Sequence, residues 1–142
     1  MITEDYVSFE TAKLLKEKGF DEKCRTFWKK WDGEIMLCPC CSGHVFEFCC
    51  NSMLEEYNDD SELNVAAPTL QMAMKWLREI HNIFIDIVSR FSMNADKDIC
   101  FSYSCKKLIG TYKSCYEHSD GEWWNYEDAC EAAIKYCLEN LI

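Results

Sequence analysis

The chain has no apolar run near the roughly 20 residues of a membrane span. Its first residues, Met-Ile-Thr-Glu-Asp-Tyr, are acidic where a secretory leader would carry basic residues and then an apolar core. It also lacks a phosphate-binding loop, an internal repeat, a low-complexity segment and a linker. Basic charge is short as well: 15 Lys and Arg stand against 25 Asp and Glu, a formal net charge of −10. The first two absences predict a cytosolic chain with no membrane partner. The charge balance argues against direct nucleic-acid binding, which needs clustered cations to displace counterions from phosphates.

The acidic residues pool in Glu55-Glu56-Tyr-Asn-Asp59-Asp60-Ser-Glu62, which reads as a solubilising loop. A mimic of DNA would spread its carboxylates along whole elements instead. Hydrophobic residues make up 49% of the 142 positions and aromatics 14%, which excludes disorder. The length fits a single domain, 1–142, with room for a real core. Five Trp, seven Tyr and eight Phe are more than a domain of this size readily buries, so some should line a cleft or an interface. Eleven Cys without a leader read as reduced thiols, most serving as small apolar side chains.

Local signals divide the chain. Ser8 is a good N-cap preceded by Val7; Phe9, Ala12 and Leu15 form an apolar stripe; Gly19 stops the helix and Phe20 can fold back on it. Asp32-Gly33 between apolar-rich runs predicts a two-residue hairpin turn. That turn sets Trp31 opposite Glu34 and Lys29 opposite Met36, and it assigns Trp28, Ile35 and Leu37 to the other, core-facing side. His44 to Cys50 alternates as a third strand of a meander, and the acidic run to Asn64 follows as a loop. A second helix starts near Pro68 at its first position. It buries Leu70, Ala73, Met74, Trp76, Leu77 and Ile80, ends at His81-Asn82, and leads into a buried strand, Ile83 to Val88. Strands are expected at Ile99 to Lys106 and Gly110 to Glu117, with a turn at Ser119-Asp120-Gly121. Asn125 caps a last helix whose core face is Tyr126, Cys130, Ala133, Cys137 and Leu141. The order α-βββ-α-βββ-α predicts an α+β fold, a mainly antiparallel sheet with helices packed on it.

Three strings, Tyr6 to Phe20, Ala67 to Asn82 and Tyr126 to Ile142, resemble a family of small proteins abundant in phages, prophages and mobile elements of gut Bacteroides and relatives. The resemblance covers the three helices. It implies a bacterial host cytoplasm as the setting and transfers no site residue, because the family carries no assigned chemistry.

Two constellations could carry chemistry. In Cys38-Pro-Cys-Cys-Ser-Gly-His44, Cys38 and Cys41 have the C-x2-C spacing of a zinc knuckle, and His44 with Cys49 (or Cys50) would complete a tetrahedral set. Against structural zinc stand the opposite directions of Cys49 and Cys50 in a strand and the lack of a second C-x2-C. A reduced metal-free turn or a disulfide is the alternative. The second constellation is aromatic. Trp31, Phe27, Lys29 and Arg25, with Trp123-Trp124, offer stacking faces and a few cations for a planar ligand such as a nucleotide base. The plain reading of Trp123-Trp124 is a bulky plug before the last helix. His81 is expected to cap its helix and His118 to be solvated beside a turn. Glu47 and Asp86 fall inside strand patterns, where an open sheet face explains a carboxylate.

No nucleophile–base pair stands out, which favours a binder over an enzyme. The functions that follow are a non-enzymatic phage accessory protein, acting in counter-defence by sequestering a small nucleotide signal at a homo-oligomeric interface, or a protein-interaction module that inhibits a host enzyme. A small zinc-stabilised structural protein is a further alternative.

Overall fold

The computed structural model describes residues 1–40, 47–92, 99–110 and 114–142. The fold is α+β, and among the described residues the strands pair antiparallel in two three-stranded sheets. The chain divides into two compact units, Met1–Thr69 and Leu70–Ile142.

The first unit opens with helix α1, Phe9–Glu17. Ser8 caps it as predicted, accepting the Thr11 N–H at 3.2 Å. At the other end Gly19 takes φ 90°, which lets the Phe20 N–H reach back to the Leu15 carbonyl at 2.9 Å and buries the Phe20 ring. This is the Schellman ending that a glycine after a helix allows. Strands β1, Thr26–Trp31, and β2, Glu34–Pro39, form the hairpin. Asp32 and Gly33 both have positive φ, 49° and 79°, the requirement of the tight mirror-image turn. The register follows: Trp31 opposite Glu34, Lys29 opposite Met36 and Trp28 opposite Leu37.

The third strand is not where the alternation placed it. Strand β3 is Glu62–Ala66, and it pairs with β1, giving the order β2-β1-β3 instead of a meander. Of the expected His44–Cys50 strand, residues 44–46 lie outside the described residues. Cys49 makes only a single bridge, to Cys24. The expected acidic loop holds a short helix α2, Asn51–Leu54, and a 3-10 turn, Glu55–Tyr57. Buried Asn51 binds this segment in place. Its amide donates to the Phe20 carbonyl at 2.7 Å and its carbonyl accepts the Ala66 N–H at 2.9 Å. The expectation of a core face on the hairpin is corrected too. Trp28 is half-buried with its indole N–H on the Val7 carbonyl at 2.8 Å, and Val65 beside it is buried. Ile35 and Leu37 on the same face are 46% and 38% exposed, because β2 is the edge strand and carries its side chains away from the buried part of the sheet.

The second unit starts at helix α3, Leu70–His81. Pro68 is therefore not its first residue; the Pro68 carbonyl instead accepts the Val7 N–H at 3.1 Å in the first unit. Leu70, Ala73, Trp76 and Leu77 are buried, whereas Ile80 is exposed. Asn82 ends the helix in the left-handed conformation, φ 55°. Strands β4, Ile83–Phe91, β5, Ile99–Ile109, and β6, Ser114–Trp123, pair in that order. β4 is an edge strand of this order; Ile83 is buried, Ile85 and Ile87 on the same face are half-buried, and the strand is exposed from Val88 onward. The expected turn at 119–121 lies inside β6, where the register shifts between Phe101 and Tyr103. One extra residue forms a bulge there, and Gly121 holds φ 65°. Helix α4, Tyr126–Asn140, is capped by Asn125, whose side chain accepts the Asp128 N–H at 2.7 Å. It buries Ala129, Cys130, Ala133, Ile134, Cys137 and Leu138. No helix among the described residues is long and apolar enough to cross a membrane.

Two substitutions test these joints. A Cβ on Gly121 would sit 2.6 Å from the Trp123 ring at a φ that disfavours L residues, so Gly121→Ala should destabilise the protein by about 1–3 kcal/mol. Asn51→Ala strands two buried backbone groups, each worth about 1–3 kcal/mol when left unpaired. Both are read from urea denaturation, with unchanged midpoints counting against the packing described.

Candidate functional site

An open groove of about 670 Å³ lies in the first unit, lined by Lys30, Trp31, Asp32, Gly33 and Asp59 to Leu63. Trp31 stands at the end of β1, beside the turn, and is 55% exposed. It is held there because the hairpin register places it between Glu34 on β2 and Glu62 on β3. The opposite wall is built on Asp59, whose Oδ1 accepts the Ser61 N–H (2.7 Å), the Ser61 hydroxyl (2.7 Å) and the Glu62 N–H (2.9 Å). This is the local turn that Asp stabilises through its own side chain. Lys29 binds Glu62 at 2.9 Å, and the Asn64 amide donates to the same carboxylate oxygen at 2.9 Å.

These bonds fix the charge of the wall. The Ser61 hydroxyl, then the backbone N–H groups of Ser61 and Glu62, hold the Asp59 carboxyl below its ordinary range. The Lys29 ammonium, then the Asn64 amide, lower that of Glu62. Around the indole the lining offers one cation, Lys30, and four carboxylates, Asp32, Asp59, Asp60 and Glu62. Such a surface attracts a cationic group and repels phosphate.

The predicted ligand residues fall in both units. Phe27, Lys29 and Trp31 share one face of β1, by the alternation of the strand, with Phe27 and Lys29 half-buried. Arg25 is exposed just before the strand, its carbonyl accepting the Cys40 N–H at 2.8 Å. Trp123 and Trp124 belong to the second unit. Trp123 is half-buried against Tyr103, ring centroids 5.2 Å apart, and Trp124 is 59% exposed. Lys30, Asp32 and the Asp59 to Leu63 wall were not among the predicted site residues. The Asp59-Asp60-Ser61 turn signal was available, but its pairing beside Trp31 depends on β3 and could not be seen.

Of the predicted zinc set, Cys41 and His44 lie outside the described residues. Cys38 is half-buried, and Cys49 is buried opposite Cys24, with its thiol 3.5 Å from the Thr26 carbonyl. No group of three or more His, Cys, Asp or Glu is placed to hold a metal among the described residues. Nine cysteines are described, all as free thiols. Burial pushes the Cys24 thiol up to about 12 and the Cys130 thiol up to about 11. Burial also raises Cys49, and Cys137 is raised by its hydrogen bond with Cys105, Sγ to Sγ 3.3 Å, and then by burial. A nucleophilic cysteine needs the opposite shift.

One histidine differs from expectation as well. His118 is not a solvated turn residue: it stacks on Tyr136 at 3.8 Å and 7°. His81, at the end of α3, meets Trp76 edge-on at 4.5 Å, and burial, then the Lys107 charge, lowers its pKa. Asp86 lies exposed on β4 and pairs with Lys106 at 3.6 Å, while Glu47 is exposed outside any strand.

Compared with protein-family models, curated proteins and solved structures, the chain matches none.

The lowered pKa of Glu62 gives a pH prediction. The unfolded chain takes this proton more readily than the folded one, so the stability from the Lys29–Glu62 pair is present above the ordinary value of 4.5. It is lost as pH falls through the lower folded value. In an NMR titration Glu62 should titrate below 4.5, and Lys29→Met should move its midpoint upward. An identical midpoint in both proteins would remove the ion pair from the account.

Proposed function

We propose that the chain is a non-enzymatic binding protein that works by protein–protein contact, with the Trp31 groove receiving a basic segment of its partner. The observation that carries this reading is the exposed Trp31 indole framed by Asp32, Asp59, Asp60 and Glu62. A Trp at the centre of a contact contributes strongly when its neighbours exclude water. An Arg or Lys side chain stacks on its face, and the surrounding carboxylates supply opposite charge and a fast encounter. Sequestration of an anionic nucleotide has less to support it at this groove. The four carboxylates outnumber Lys30, the single cation of the lining, and Lys29 beside it is bound to Glu62. In the phage or mobile-element setting suggested by the three helical strings, such a module would act by occupying a basic surface of a host protein.

The test is a calorimetric titration with an Arg-rich peptide and, in parallel, with a cyclic dinucleotide. The peptide should bind, more weakly as salt is raised. Trp31→Ala should reduce its affinity by about thirtyfold, near 2 kcal/mol, without lowering the melting temperature. Binding of the dinucleotide with none of the peptide would reverse the assignment in favour of nucleotide capture.

A further inference from the structure

A surface separate from the Trp31 groove remains on the outer side of β2. Among the described residues this strand has a neighbour on one side only. Its middle, Ile35, Met36 and Leu37, is 46%, 41% and 38% exposed. Soluble proteins usually protect such an edge with a lysine, an inward charge or a mid-strand proline. Here the middle carries three apolar side chains in a row, and Pro39 comes only at the end.

The hairpin geometry decides which backbone groups face outward. A two-residue turn closes on a hydrogen-bonded pair, Trp31 with Glu34. Hydrogen-bonded and non-bonded pairs alternate along an antiparallel ladder, so Met36 and Cys38 also direct their backbone groups toward β1. The Cys40 N–H on the Arg25 carbonyl continues that alternation. Ile35 and Leu37 therefore turn both N–H and C=O away from the sheet.

We infer that β2 pairs antiparallel with β2 of a second copy of this chain, joining two three-stranded sheets into one of six. One register uses every free group in the middle of the strand. Ile35 exchanges both backbone hydrogen bonds with the partner's Leu37, Leu37 does the same with the partner's Ile35, and Met36 meets the partner's Met36 on the two-fold axis. Setting Ile35 against the partner's Ile35 would run Leu37 into the turn at Gly33. Setting Leu37 against the partner's Leu37 would put Ile35 opposite Pro39, which has no N–H to give. In the favoured register no like charges face each other: Glu34 lies opposite the partner's Cys38. One face then carries Ile35 and Leu37 of both copies as a continuous aliphatic row, and the other carries the two methionines. A surface that is its own complement about a two-fold axis is the requirement of a closed dimer.

Sedimentation equilibrium over a concentration series tests this. The wild-type protein should approach twice the 16.7 kDa protomer mass. Met36→Lys places two cations opposite each other on the axis and should sediment at the protomer mass, with an unchanged circular-dichroism spectrum. Mixing Met36→Lys with Met36→Glu should restore the pair as a mixed dimer, an outcome that a misfolded variant cannot give. A wild-type protein that stays at the protomer mass, or a Met36→Lys protein that still pairs, overturns the inference. The groove is probed with its own peptide ligand, so failure of either proposal is distinguishable from failure of the other.

Discussion

The tight turn at Asp32–Gly33 governs the surface of the first unit. Two consecutive residues with positive φ bring β1 and β2 together with the twist that a hairpin needs, and they fix the register to the residue. A one-residue slip would send every side chain to the other face. With the register fixed, Trp31 falls beside the turn between two acidic partners. The same turn leaves the backbone groups of Ile35 and Leu37 facing outward. The groove and the free edge are thus two results of one local conformation.

The polar groups within this unit serve mainly to place backbone. Asn51 joins the α1 ending to β3, and Asn58 holds Asn64 through a 2.6 Å bond from the Asn64 N–H. Asp59 organises the groove wall, and Asp21 accepts the Ser52 N–H at the start of α2. Each is an Asn or Asp satisfying N–H groups that would otherwise lack partners. The acidic segment is therefore an ordered, hydrogen-bonded wall as well as a source of charge. In the second unit the packing is different in kind. Buried cysteines act as small apolar residues: Cys105 on β5 meets Cys137 on α4, and Cys130 lies on the same buried helix face. The Cys130 thiol is pushed up by burial and that of Cys137 by its hydrogen bond with Cys105 and then by burial, shifts that argue for packing over reactivity.

Helices were the most legible part of the chain because their signals are local. Ser8, Gly19, Asn82 and Asn125 mark helix ends through bonds or φ values confined to a few residues. The hairpin register was legible for the same reason. Strand β3 was not: five residues, Glu-Leu-Asn-Val-Ala, are too short for a periodic signal and follow an acidic run. Phe46 and Phe48 offered a stronger alternation and drew the expected strand to His44–Cys50, of which the described part, 47–50, forms only the Cys49 bridge. The Asp120-Gly121 pair looked like a turn, yet a bulge needs the same positive φ inside a strand. Half of the candidate groove was visible as Trp31; the other half comes from a segment about thirty residues away whose partner strand could not be chosen locally.

By itself the sequence determined the α+β class, the helix caps, the Asp32–Gly33 turn and the faces of β1, because each depends on dihedral preferences and side-chain periodicity within a few residues. Only the tertiary structure decided that β3 joins β1, that Ile35 and Leu37 are uncovered, and that the acidic turn stands beside Trp31. Those outcomes depend on which distant segment takes the open side of a strand. That choice is set by competition among burial, loop closure and backbone hydrogen bonding across the whole unit, and no local run of residues encodes it.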